Sequence, residues 1–148
     1  MLYNQIDELI ANARKSGDKT LLKVLQLIKS DFMKYKTSSK DTKLTEESEA
    51  KILLKMSQAW KEEYHNLLTA GRDTSVIIDE IDTLMDFVPE VPTDEQVKIY
   101  TIDAIAEYNH DNLSMKDMKA IMNMVKERNP LADGGIVARV FKEYLNGK

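Results

Sequence analysis

The amino-acid sequence predicts an all-α fold of two small helical domains, about four helices and then three, joined at a proline-containing hinge. Apolar residues recur at spacings of three and four along most of the 148 residues, which is the pattern of helices with one buried face. Neither an alternating β-branched run nor a hairpin dipeptide occurs. Pro89 and Pro92 cannot occupy a helix interior, so they separate the two groups of helices.

The first two helices are predicted on either side of Gly17. Glycine suits the left-handed position that follows a helix, and Asp18 can cap the helix that comes next. The pattern of the second helix fades over residues 36–43. The residues predicted to be buried are Ile6, Leu9, Ile10 and Ala13 in the first helix, and Leu21, Val24, Leu25, Ile28 and Phe32 in the second.

The third and fourth helices are predicted between Thr45 and the first proline. Thr45 followed by Glu46 and Glu47 is a good helix start. Threonine is a favoured N-cap residue, and the two glutamates interact favourably with the positive end of the helix dipole. The third helix is predicted to stop at Gly71, and either Asp73 or Thr74 can cap the fourth. The residues predicted to be buried are Ile52, Leu53, Met56, Ala59, Trp60, Tyr64 and Leu67, then Ile77, Ile78, Ile81, Leu84 and Met85.

Three more helices follow a hinge placed at Phe87–Pro92, so the predicted domains are residues 1–92 and 93–148. The pairs Thr93–Gln96 and Ser114–Asp117 have the spacing of capping boxes, and Asp133 can cap the last helix. The residues predicted to be buried are Val97, Ala104, Ile105 and Tyr108, then Met118, Ile121, Met122 and Val125, and finally Val137, Val140, Phe141, Tyr144 and Leu145.

The composition excludes several classes of function. With no cysteine, the chain has no disulfide scaffold, no cysteine-based zinc or Fe–S site and no thiol nucleophile. It has no 18-residue uncharged apolar run and no apolar core of the signal-peptide type near its start, so we expect a cytoplasmic protein that does not span a membrane. It also lacks a glycine-rich phosphate loop and a Ser-His-Asp arrangement, so we expect no cofactor and no catalytic site.

The only two histidines both lie in Glu-x-x-His motifs, at Glu62–His65 and Glu107–His110. Paired motifs of this kind hold two metal ions in ferritin-like bundles, provided that they project into the bundle core. At about 100° per residue, each histidine points roughly 160° away from the apolar face of its helix. We therefore expect both motifs to face solvent and predict no metal site.

The net charge of −4 is unevenly distributed. Residues 1–43 hold nine basic and five acidic side chains, a charge of +4, whereas residues 44–92 hold four and eleven, a charge of −7. Residues 93–148, with eight and nine, carry −1. Phosphate binding depends on local charge, so the negative total does not exclude RNA. The acidic segment 73–90 is expected to turn its carboxylates to water, where they could meet a basic protein partner; they are Asp79, Glu80, Asp82 and Asp86.

Two groups of basic residues are candidates for RNA binding. The first surrounds the first interhelical turn and consists of Arg14, Lys15, Lys19 and Lys23. It continues through Lys34, Lys36, Lys40 and Lys43, among which Tyr35 could stack on a base. The second group consists of Lys116, Lys119, Lys126, Arg128 and Arg139. Lysines also solvate ordinary helix faces, so charge alone does not separate RNA binding from simple solvation.

Several short segments, taken in their order and spacing, resemble the YqeY-like family. They are the stretch Leu21–Ser30, the sequence Ala70-Gly71-Arg72-Asp73 before an acidic helix, the sequence Leu113-Ser114-Met115-Lys116-Asp117-Met118, and Ala132-Asp133-Gly134 before the last helix. The resemblance extends over about residues 2–146. It implies a two-domain helical fold in which residues 93–148 are similar to the tail domain of the GatB subunit of tRNA-dependent amidotransferases.

That resemblance implies a non-catalytic accessory module associated with tRNA or other RNA. In the amidotransferase, the tail domain helps to hold tRNA, while the carbon–nitrogen ligase chemistry that uses glutamine as amido donor takes place elsewhere. The alternative is a protein–protein adaptor or structural component that has kept the YqeY-like fold and lost RNA binding. It is favoured by Gln26 and Trp60 at positions where the family commonly has arginine, and by Pro130-Leu131 where it often has glycine and a basic residue.

Overall fold

The computed structural model describes residues 1–108 and 111–147, and every regular element in these two ranges is helical. The α-helices are α1 (Ile6–Ser16), α2 (Lys19–Lys36), α3 (Glu46–Thr69), α4 (Ser75–Met85), α5 (Asp94–Tyr108), α6 (Met118–Arg128) and α7 (Gly134–Asn146). Short 3₁₀ helices occur at Leu2–Asn4 and Met115–Asp117. The predicted all-α fold class is confirmed. None of the helices in the described ranges is both long enough and apolar enough to cross a membrane.

The chain divides into two compact units, Met1–Pro89 and Glu90–Lys148. Helices α1 to α4 form the first unit, and α5 to α7 form the second. Each unit encloses a hydrophobic cluster of its own. Compactness alone does not make a unit a separately folding domain, so the domains 1–92 and 93–148 and the hinge at Phe87–Pro92 stay predictions.

Local capping residues set the helix boundaries of the first unit. Gly17 has φ +75° after α1, and the Asp18 side chain accepts a hydrogen bond from the backbone N–H of Leu21, so both predicted roles are confirmed. Thr45 and Ser48 form a reciprocal capping box at the start of α3. Gly71 has φ +68° just beyond the end of α3, which glycine adopts without a steric penalty.

The second unit begins its helices with the predicted caps. The backbone N–H of Thr93 donates to Gln96 Oε1 at 2.9 Å, and the N–H of Gln96 donates to Thr93 Oγ1 at 3.1 Å. The Ser114–Asp117 box is also present, but it opens the 3₁₀ helix Met115–Asp117, after which α6 begins. The Asp133 side chain accepts from the N–H of Gly135 at 2.8 Å and caps α7.

The core of the first unit is built around α2, which packs against α1, α3 and α4. All four fully buried residues of α2 are 0% exposed; they are Val24, Leu25, Ile28 and Phe32. In the second unit, α5 packs against both α6 and α7. The buried residues of that core are Val97, Ala104, Ile105, Ile121, Val125, Ala132, Val137 and Phe141.

Four residues predicted to be buried are exposed. Ile78 and Met85 are 40% and 38% exposed, Tyr144 is 39% exposed, and Ala59 also lies at the surface. The buried direction of α4 is set by Ile77 and Leu84, and each exposed residue of α4 directly follows one of them. Ile78 and Met85 therefore each point about 100° away from the core.

Candidate nucleic-acid interface

The turn between α1 and α2 brings three of the predicted RNA-binding cations together. Arg14 and Lys15 lie in the last turn of α1, and Lys19 is the first residue of α2. All three are exposed, and none of them forms an ion pair with another residue in the described ranges. Because Gly17 and Asp18 reverse the chain between them, the three charges share one exposed corner of the first unit.

The fourth residue of this group, Lys23, has a partner within the protein. Its Nζ lies 2.7 Å from Glu80 Oε1, and the two side chains are 59% and 12% exposed. The ion pair joins α2 to α4. The expectation that all four carboxylates of the acidic row face water is therefore wrong for Glu80, whose carboxylate lies on the side of α4 that packs against α2.

Three lysines among the predicted cations of the second unit lie on α6 or directly before it. Lys116 lies in the 3₁₀ helix Met115–Asp117, and Lys119 and Lys126 lie on α6. Positions 119 and 126 are seven residues apart, so they project within about 20° of each other around the helix. Lys116 and Lys119 are exposed, whereas Lys126 is half-buried.

The remaining two predicted cations of the second unit are arginines. Arg128 lies nine residues after Lys119, so it projects from the opposite side of α6. Its guanidinium lies 3.0 Å from Asp103 Oδ2 and 5.5 Å from the centre of the Tyr100 ring, both on α5. Arg139 is exposed on α7.

Within the described residues, two groups with a shifted pKa lie at helix ends, Asp73 just before α4 and Tyr108 as the last residue of α5. The hydrogen bond from the backbone N–H of Ser75, 2.9 Å from Asp73 Oδ1, holds the pKa of Asp73 below its ordinary value. Of the two predicted caps for α4, Asp73 is therefore the one whose side chain accepts a backbone hydrogen bond. The Tyr108 hydroxyl donates to Asp117 Oδ1 at 3.0 Å, which raises the pKa of Tyr108.

The structure supports the solvent-facing prediction for the first Glu-x-x-His motif, since Glu62 and His65 are both exposed. His110, the histidine of the second motif, lies outside the described residues. Within residues 1–108 and 111–147, no three or more histidine, aspartate or glutamate side chains gather as a metal ion would require.

A protein-family model described as "Yqey-like protein" matches residues 3–145. The chain belongs to the YqeY-like family. The match begins within the first 3₁₀ helix and ends within α7, so it includes both compact units. A search of curated proteins gave no match to this YqeY-like chain.

Two surface clefts of this YqeY-like protein were not predicted from its sequence. A cleft of about 500 Å³ lies between α1 and α2 and includes Arg14 and Gln26, with the Asp7–Lys29 ion pair in its wall. A groove of about 340 Å³ lies between α2 and α3 and includes Trp60. Their walls come from residues distant in sequence, so helix packing forms them and no local motif marks them.

The positions at which we expect the sequence to depart from the common family pattern lie in these two clefts and in one turn. Gln26 and Trp60 each line one of the two clefts. Pro130 and Leu131 lie in the turn between α6 and α7, where the backbone N–H of Leu131 donates to Asn129 Oδ1 at 3.0 Å. This turn is shaped by an asparagine side chain and a proline, and it contains no basic residue.

Proposed function

We propose that this YqeY-like protein is a non-catalytic accessory module that binds tRNA or a similarly folded RNA through its basic surface. The observation that carries the proposal is the exposed corner formed by Arg14, Lys15 and Lys19, which have no ion-pair partner in the described part of the chain. Cations already neutralised by carboxylates would gain little from phosphates. Free cations release the counterions of the nucleic acid when they bind it.

The resemblance of residues 93–148 to the GatB tail domain also supports the proposal. In the amidotransferase that tail helps to hold tRNA, and here the same part carries the exposed residues Lys116 and Lys119, which are three positions apart in sequence. The proposed module leaves any ligase chemistry to a separate enzyme. Its role is to hold the RNA.

Salt-dependent tRNA binding tests the proposal. The logarithm of the affinity should fall linearly with the logarithm of the salt concentration, with a slope of roughly −0.7 to −0.9 for each phosphate neutralised. Replacing Arg14, Lys15 and Lys19 together with glutamine should weaken binding and flatten this slope. The Lys116→Glu, Lys119→Glu double variant should weaken binding if the second unit also contacts the RNA.

A matched control removes three positive charges elsewhere. Lys61, Lys98 and Lys142 are exposed and form no ion pair within the described residues, so their glutamine triple variant has the same net charge as the Arg14/Lys15/Lys19 variant. Fluorescence anisotropy of labelled tRNA would compare the two. Equal losses in both variants, or no binding at low salt, would contradict a specific basic site.

A second candidate function is a protein–protein adaptor, and the surface of α4 favours it. Ile78 and Met85 are exposed there beside the exposed carboxylates Asp79, Asp82 and Asp86. An apolar stripe bordered by acids suits a basic amphipathic partner. A stoichiometric protein that stays bound after RNase treatment, and that the Ile78→Glu, Met85→Glu double variant loses, would support the adaptor over the RNA module.

A further inference from the structure

The groove between α2 and α3 has an apolar floor and a charged rim. Ile52, Met56 and Trp60 project into it from α3, and the rim carries Lys34, Lys55 and Asp31. Its volume of about 340 Å³ lies at the lower end of the range for small-molecule sites, so it has room for one ring system and its immediate substituents.

The indole of Trp60 indicates which kind of ligand would fit this groove. Trp60 is partly buried against the core of the first unit, so its ring is fixed in place while one part stays accessible from the groove. A fixed aromatic ring at a surface stacks on nucleobases, because every base presents a π-face of similar size. A small inorganic anion would leave the indole unused.

The two lysines on the rim supply the charge that a nucleotide needs. Lys34 and Lys55 are both exposed, and neither forms an ion pair within residues 1–108 and 111–147. They come from α2 and α3, the two helices that line the groove. The chain continues from α2 into residues 37–43, where Lys40, Asp41 and Lys43 are exposed and leave the segment with a net positive charge.

The carboxylate of Asp31 gives the groove a preference among bases. A carboxylate accepts a hydrogen bond from an exocyclic amino group, which adenine and cytosine present and uracil lacks. With one acid and two lysines, the charged residues that line the groove have a net positive charge. Base stacking, phosphate attraction and recognition of an amino group are thus available within one groove.

We propose that this groove binds one unpaired, amino-bearing base of a single-stranded RNA segment. The base stacks on Trp60, and Lys34 and Lys55 contact the phosphates on either side of it. The proposal rests on the RNA-binding function proposed above and deepens it, since it names an unpaired nucleotide as the feature recognised by the first unit.

Trp60 also provides the measurement, because it is the only tryptophan of the chain. The full-length protein would be titrated with oligoadenylate and oligouridylate of equal length while tryptophan fluorescence is recorded. We expect saturable quenching, with tighter binding of oligoadenylate. The Asp31→Asn variant should reduce the preference for oligoadenylate, and the Lys34→Gln, Lys55→Gln double variant should weaken binding of both.

Substitution of the tryptophan itself gives a second test. Trp60→Ala should weaken oligoadenylate binding by about 5- to 150-fold, the effect of losing one base–aromatic stack. Because Trp60 packs on the core, the variant must first show the helical circular dichroism of the parent. If it does not fold, the Lys34→Gln, Lys55→Gln double variant tests the groove instead. The Lys61→Gln, Lys98→Gln double variant is its control and should bind oligoadenylate like the parent.

Labelled tRNA, titrated in parallel, separates failure of the groove from failure of the proposed function. If tRNA binds in a salt-dependent manner but does not quench Trp60, and the Lys34/Lys55 variant binds like the parent, the stacking site is overturned while the RNA module stands. If neither tRNA nor oligonucleotide binds, both proposals are overturned. Quenching by oligonucleotides without tRNA binding supports the groove and overturns tRNA as the ligand.

Discussion

Glu49 stabilises the start of the chain from a buried position on α3. Glu49 is 5% exposed. One carboxylate oxygen accepts a hydrogen bond from the backbone N–H of Leu2 at 3.1 Å, and the other accepts one from the N–H of Tyr3 at 2.7 Å. These bonds satisfy donors at the beginning of the first 3₁₀ helix, which has no side-chain cap of its own. A buried carboxylate is tolerated there because both of its oxygens are hydrogen-bonded.

Replacing Glu49 with glutamine should lower the free energy of unfolding by about 1–3 kcal/mol, because an amide NH₂ would then face a backbone N–H in a buried place. Urea unfolding followed by Trp60 fluorescence measures this loss. Glu62→Gln, which changes an exposed glutamate of the same helix, is the matched control and should unfold like the parent. Equal midpoints for the two variants would show that the Glu49 hydrogen bonds contribute nothing.

The hydrogen bond between Tyr108 and Asp117 predicts a pH dependence at the alkaline end. The bond raises the pKa of Tyr108 in the folded state, so its stabilising effect is complete below the unfolded pKa of about 10 and disappears as pH rises through the raised folded value. The stability difference between the parent and Tyr108→Phe should therefore be constant at neutral pH and shrink at high pH. Unfolding curves of both proteins across this range check it, and a difference that grows with pH would contradict it.

The turn between α1 and α2 depends on a single left-handed residue. Gly17 has φ +75°, where an L side chain is strained even though no atom lies within 4 Å of the place a Cβ would occupy. Gly17→Ala should cost about 1–2 kcal/mol of stability, and Gly17→Asn should cost less because asparagine tolerates this conformation. Urea unfolding monitored by Trp60 would rank the three proteins, and an alanine variant as stable as the parent would contradict this explanation of the turn.

Helix ends were predictable from sequence because capping is local. The Gly17–Asp18 turn and the Thr93–Gln96 box each join residues at most four positions apart, so the sequence contains all their partners. Glu49 was not predictable, since the backbone groups that it binds are 46 and 47 positions away. Glu80 resembles its acidic neighbours in sequence, and only the packing of α4 on α2 places it beside Lys23.

The same distinction applies to the candidate site at the scale of the whole molecule. The exposed corner of Arg14, Lys15 and Lys19 follows from sequence, because the three residues surround one short turn. The groove at Trp60 does not, since its rim lysines lie 21 positions apart on different helices. Charge density can be read along the chain, whereas a cavity exists only after helices pack.

Two separate hydrophobic clusters predict two unfolding transitions for the whole molecule. Helices of both units contribute to circular dichroism, whereas Trp60 reports on the first unit alone. A domain of about 60 residues buries only about 60% of its unfolded surface and is marginally stable, so the unit Glu90–Lys148 should unfold at the lower urea concentration. Circular dichroism should then begin to fall before the tryptophan signal changes.

A matched pair of core variants tests that independence. Ile28 and Ile121 are both 0% exposed, one in each unit, and isoleucine-to-valine changes at buried sites cost about 0.5–1.5 kcal/mol. Ile121→Val should lower the midpoint of the early, dichroism-only transition and leave the Trp60 transition in place, while Ile28→Val should do the reverse. If each variant shifts both transitions equally, the chain unfolds as one cooperative unit and the assignment of residues 1–92 and 93–148 to separate domains is wrong.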